Sequence, residues 1–137
     1  MTTNHDAANP DALLSAVPFA VELGVELEEA GPECARAVLP WSPQRCTVGG
    51  ALHGGALMAL ADAAGGLCAF ANLPDGATGT ATVTSATNFL RPVTGGHVEA
   101  AARPLNLGRT VIVVDTELRD ADGRLVARVT QTQAVLR

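Results

Sequence analysis

The chain contains no lysine and no tyrosine, and aromatic residues make up only 3% of it. All nine basic residues are arginine, set against fourteen Asp and Glu, for a formal charge of -5. A nucleic-acid partner calls for a basic face and stacking rings, and this composition supplies neither. Charged residues amount to 17% and apolar residues to 47% of 137, enough for one buried core and unlike a disordered chain.

Other signatures are missing too. Cys34, Cys46 and Cys68 form no CxxC, and their odd number fits unpaired thiols in a reducing, cytoplasmic setting. His5, His53 and His97 are scattered, so no metal is expected. There is no GxSxG and no P-loop, and no cofactor is implied. Residues 1–9 are polar, with neither a basic nor an apolar signal region; they read as a disordered tail before one domain over 10–137. The stretch from Gly49 to Ala71 is long enough to span a bilayer. It carries six glycines, His53 and Asp62, however, and suits a buried helix better than a membrane partner.

What is present is a change of period. Pro10–Val17 reads as a short helix ended by Pro18. Val21 to Glu28 alternates apolar and polar residues, the pattern of a half-buried strand, and returns through Gly31-Pro32 to Cys34–Leu39 as a hairpin. Residues 40–53 are irregular. From Gly54 to about Ala71 apolar side chains cover nearly every side of a helix. After the Asn72–Gly79 loop come four strands: Thr80–Arg91, one around Val98–Arg103, Thr110–Arg119 and Arg124–Leu136. The last two are joined by the turn Asp120-Ala121-Asp122-Gly123. Consecutive hairpins predict an antiparallel sheet of about six strands, wrapped around one helix in an α+β fold. Its free edges favour a dimer.

Asp62 is the only carboxylate between Glu33 and Asp75, and it sits mid-helix among Leu60, Ala61, Ala63 and Ala64. A carboxylate in apolar surroundings is costly unless paired or used; the alternative is a solvent-facing Asp on a narrow polar stripe. His53-Gly54-Gly55 stands at the helix start, where unpaired N–H groups and the helix dipole favour an anion or oxyanion. The alternative there is a flexible entry turn with a capping His. Asp62 lies eight positions after Gly54, roughly 12 Å along a helix axis. One reacting carbonyl cannot touch both on a single helix, so joint action requires an antiparallel helix from a second subunit.

The run Gly50-Ala51-Leu52-His53-Gly54-Gly55-Ala56-Leu57-Met58-Ala59-Leu60-Ala61-Asp62 resembles the signature of hotdog-fold acyl-CoA thioesterases, nearest the phenylacetic-acid-degradation (PaaI-like) branch. Asn88-Phe89-Leu90-Arg91-Pro92, Gly108-Arg109 and Asp122–Ala127 resemble that branch as well, so the likeness covers about residues 18–136. It implies a hotdog sheet around one helix and hydrolysis of an aryl-, short- or medium-chain acyl-CoA. Asp62 would be nucleophile or general base, Gly54 with Gly55 beside it the oxyanion donor, and His53 the residue shaping the turn. A homodimer would be the catalytic unit, within a homotetramer.

The resemblance also implies a hydroxyl from the opposing subunit, for which Thr82, Thr84 and Ser85 are the candidates. Many relatives carry Asn or Gln six residues before the His. Here that position is Thr47, with Gln44 nearby to take its place. Arg91 and Arg109 are expected to hold the CoA phosphates, with Arg103 and Arg128 behind them and Asn88 and Phe89 alongside. The competing readings are a hotdog hydratase or dehydratase, and an acyl-CoA-binding domain that would not need Asp62.

Overall fold

A computed structural model describes residues 10–137; the expected tail over residues 1–9 lies outside them. Two short helices open the described chain, α1 (Pro10–Ser15) and α2 (Pro18–Leu23). Strands β1 (Glu26–Ala30) and β2 (Ala35–Pro40) follow, then a 3-10 turn at Pro43–Arg45 and the long helix α3 (Gly54–Phe70). Strands β3 (Gly79–Phe89), β4 (His97–Leu107), β5 (Val111–Asp120) and β6 (Leu125–Leu136) complete it.

The strand expected over Val21–Glu28 begins only at Glu26, because Pro18 starts a second helix instead of merely ending the first. Proline at the first helical position costs no hydrogen bond. Gly24, at φ 100°, closes that helix with a left-handed cap whose N–H donates to Ala20 O and Val21 O. The 21–28 alternation therefore straddles a helix end and a strand start.

All six strands are antiparallel in the order β1-β2-β4-β5-β6-β3. The expected run of four hairpin-connected strands fails at its first step. β3 does not pair with β4; it crosses to the far edge and pairs with β6 from Gly79↔Leu136 to Phe89↔Ala127. The Asp120–Gly123 turn forms as read, with Gly123 at φ 83°. Asp120 accepts from the Arg124 and Asp122 amides and from Arg124 Nε, and these bonds, the Arg124 amide foremost, hold its carboxyl below the usual aspartate range.

The sheet curves around α3, whose residues Leu60, Ala61, Ala64, Cys68 and Ala69 are fully buried. Alanine faces alanine across β2 and β4, at Ala35↔Ala102 and Ala37↔Ala100, and short side chains let helix and sheet approach closely. Ile112, Val114, Leu118, Val126 and Val129 complete the inner face from β5 and β6. Burial of the helix is incomplete. Gly54, Met58, Asp62, Gly66 and Phe70, spaced by four, form a half-buried to exposed stripe beside the edge strand β3, itself exposed along most of its length.

Candidate active site

α3 begins at His53, which is extended at φ -62°, ψ 137° and serves as its N-cap. Its main chain is held on both sides: His53 N donates to Arg45 O at 2.8 Å, and His53 O accepts from Ala56 N and Leu57 N. Its Nδ1 accepts from Gly55 N at 2.8 Å, which places the ring proton of the neutral imidazole on Nε2. The Gly55 amide is thereby used within the turn. Gly54 N–H donates to nothing among the described residues. Of the N–H groups expected to be free at the helix start, that of Gly55 is engaged by His53 and that of Gly54 is not.

Cavities lie on either side of this turn. One, about 360 Å³, is lined by Gly54, Leu57, Phe89, Arg91 and their neighbours. The other, about 240 Å³, is lined by Phe19, Gln44, Cys46, His53, Gly55 and Ala59 among others. A Cβ at Gly54 would stand 3.2 Å from Phe89 Cζ, so this glycine admits the ring against the backbone. Gln44 sits beside His53, with its Oε1 accepting from Ser42 Oγ at 3.0 Å. Thr47 lies apart, exposed in a loop closed by its own N–H to Ala51 O.

Asp62 is exposed in the isolated chain, contrary to the expectation of a carboxylate sunk in apolar surroundings. The stripe that carries it is apolar, however, and not the narrow polar face that would explain an ordinary solvent-facing Asp. Its Oδ1 accepts from Gln131 Nε2 at 2.8 Å and, more distantly, from Thr82 Oγ1 at 3.5 Å. Thr82 Oγ1 in turn accepts from Gln133 Nε2 at 2.7 Å. Oδ2 receives no hydrogen bond among the described residues. The Thr82 hydroxyl, expected to reach across from an opposing subunit, is thus beside its own chain's Asp62. A bulge between Thr82 and Thr84 breaks the β3–β6 register there, and Thr84 and Ser85 are exposed, with no tie to Asp62.

Arg91 lines the Gly54 cavity, while Arg109 lies at the opposite strand ends in a groove with Pro74, Asp75, Thr110 and Arg137. The two do not form one cluster within a chain. Arg128 is engaged with Asp115 through Nε at 3.2 Å and Nη2 at 2.8 Å, so it does not stand behind them. Arg91, Arg103 and Arg109 make no ion pair among the described residues. Asn88 is exposed at a position opposite Arg128. Cys34 and Cys68 are buried thiols, and burial pushes Cys68 up to about 11, leaving it protonated and inert at neutral pH. No group of three metal-ligating side chains occurs among the described residues, and none of their helices is long and apolar enough to cross a membrane.

The comparisons with known proteins agree with this fold. Residues 49–127 match the model of the thioesterase superfamily. The chain belongs to that superfamily. A Mycobacterium tuberculosis protein named as an esterase is 34% identical over 122 residues, 88% of this chain and 87% of its own. The proofreading thioesterase EntH of Cronobacter turicensis is 32% identical over 102 residues, 74% of each chain. A thioesterase structure from Haemophilus influenzae superposes with TM-score 0.81 at 31% identity, covering 87% of this chain and 82% of that one. The phenylacetic-acid-operon protein PaaI of E. coli, 21% identical, shares the hotdog fold at TM-score 0.83, over 94% of this chain and 91% of that one. This thioesterase is therefore a thioester hydrolase on a hotdog fold.

Gln131 and Gln133 escaped the sequence reading. A signal was present: along β6 the inward phase runs Val129, Gln131, Gln133, and a polar residue repeated in a buried phase invites a question.

Proposed function

We propose that this thioesterase hydrolyses acyl-CoA thioesters to the free acid and CoA thiol, in a homodimer whose two sites each combine Asp62 of one subunit with Gly54 of the other. The observation that carries this reading is a division of labour along α3: at its first residue an amide, and eight residues on a carboxylate with one oxygen anchored, the amide and the other oxygen both without a partner among the described residues. At 1.5 Å per residue the two are roughly 12 Å apart, so they converge on one carbonyl only between antiparallel helices of two chains. The exposed α3 stripe and the unpaired edge of β3 are the surfaces available for that pairing.

In this mechanism Gly54 N–H stabilises the charge that develops on the thioester oxygen. Asp62 Oδ2 either attacks the carbonyl carbon or removes a proton from the attacking water. Both routes add one water across the C–S bond, with acid and thiol as products. A thiolate is a good leaving group, so a carboxylate and one oxyanion donor suffice. Arg91, which lines the Gly54 cavity and makes no ion pair among the described residues, meets a CoA phosphate in this reading, with Phe89 as the wall of that cavity.

Thiol release from a panel of aryl- and alkanoyl-CoA esters tests the activity. Asp62→Asn is expected to lower kcat by about a hundredfold or more with KM little changed. Near-normal turnover in that variant would falsify the assignment, and binding of CoA esters without thiol release would make the chain a binding domain instead.

A further inference from the structure

Gln131 lies under α3, fully buried, and makes one side-chain hydrogen bond, from Nε2 to Asp62 Oδ1 at 2.8 Å. Its Oε1 is buried without a donor among the described residues, as is the neighbouring Thr116 Oγ1. Leaving a buried amide oxygen unpaired is costly, and an apolar residue of the same shape would avoid that cost. Turning the amide over would not help, because it would set Oε1 against the carboxylate. The helix is also shaped for this contact: a Cβ at Gly65 would collide with Gln131 Oε1, so only glycine there lets the carboxamide lie beneath the helix.

We infer that Gln131 is a positioning residue for the hydrolysis: its amide holds Asp62 Oδ1 and thereby presents Oδ2, which nothing among the described residues engages, to the thioester. The inference rests on Asp62 acting in the reaction. Thr82, fed by Gln133 Nε2 at 2.7 Å, gives the same oxygen a second, longer contact of 3.5 Å. Both donors reach one carboxylate oxygen from the sheet side, and this fixes which lone pairs remain for chemistry. Gly65 and Gln131 are thus one device, a gap in the helix and the group that fills it.

The test is steady-state kinetics on an acyl-CoA ester for Gln131→Met, Asp62→Asn and the double variant, with thermal melting of each. Methionine keeps the length and the burial and removes the donor. Gln131→Met is expected to melt near the parent, to lose about ten- to hundredfold in kcat, and to keep its KM. In the Asp62→Asn background the same change should cost almost nothing, because the carboxylate it positions is gone. Gly65→Ala, which displaces the carboxamide without altering it, should lower kcat in the same way and gives the reading if Gln131→Met does not fold. A kcat within twofold of the parent in folded Gln131→Met, or an equal loss with and without Asp62, overturns the positioning role. Retained activity in Asp62→Asn alone overturns the underlying mechanism instead.

Discussion

At the scale of single residues, His53 illustrates how one side chain can do two jobs that a sequence does not separate. Its imidazole caps α3 through Gly55 N, and the same bond leaves Gly54 as the unclaimed amide of the turn. If capping is the contribution, another good capping side chain should replace it. His53→Ala is expected to lose about 1 kcal/mol of stability and about tenfold in kcat. His53→Asn should recover most of both, read by thermal melting and by kcat/KM. An Asn variant as impaired as Ala would assign the ring a direct part at the thioester. Asp62 was visible in the sequence because a lone carboxylate among alanines is conspicuous. Its partners were not, because Gln131 stands 69 positions away and only the β6 register brings it under the helix.

At the scale of elements, α3 was legible almost to the residue, since an apolar period sustained over seventeen residues has one reading. α2 was not. Six residues hold fewer than two turns, and Val21, Leu23, Val25 and Leu27 alternate by coincidence across its end. What fixes that end is tertiary. Arg45 donates from Nε to Leu23 O at 2.6 Å and from NH1 to Pro40 O at 2.8 Å, and its guanidinium packs on Gly24 where a Cβ would stand. Gly24 also has φ 100°. Gly24→Ala is therefore expected to cost about 1–2 kcal/mol from backbone strain alone, and more from displacing Arg45. Denaturant unfolding measures it; a loss below about 0.5 kcal/mol would show that the cap and the guanidinium contact are dispensable. Because Arg45 O also receives His53 N, the same variant should disturb the start of α3.

For the whole molecule, the number of strands and the central helix followed from periodicity, whereas their order did not. Turn chemistry identifies hairpins only where two strands meet at once, as at Asp120–Gly123. Nothing in residues 90–96 announces that the chain leaves β3 for the opposite side of the sheet. That crossing puts β3 at an edge, with Val83 59% exposed on it and Met58 and Phe70 open on the adjacent helix stripe. A charge in this surface should separate folding from assembly. Val83→Asp is expected to keep its circular dichroism, to sediment as a monomer where the parent sediments as a dimer, and to lose thiol release. A monomeric parent, or a fully active monomeric variant, would remove the two-subunit site.

The same strand order sets a timetable. On a ribosome β3 leaves the exit tunnel well before β6, yet β6 is its only neighbour among the described strands, matched from Phe89↔Ala127 to Gly79↔Leu136. Until residues 127–136 emerge, Thr82 has no strand to lie against and Asp62 no glutamine beneath it. Such a distant closure is slow relative to local hairpins. The helix and the β4–β5 hairpin can therefore form on a nascent chain in which the Asp62 carboxylate still lacks its Gln131 contact. The hydrogen bonds around Asp62 are complete only once residues 127–136 have been made.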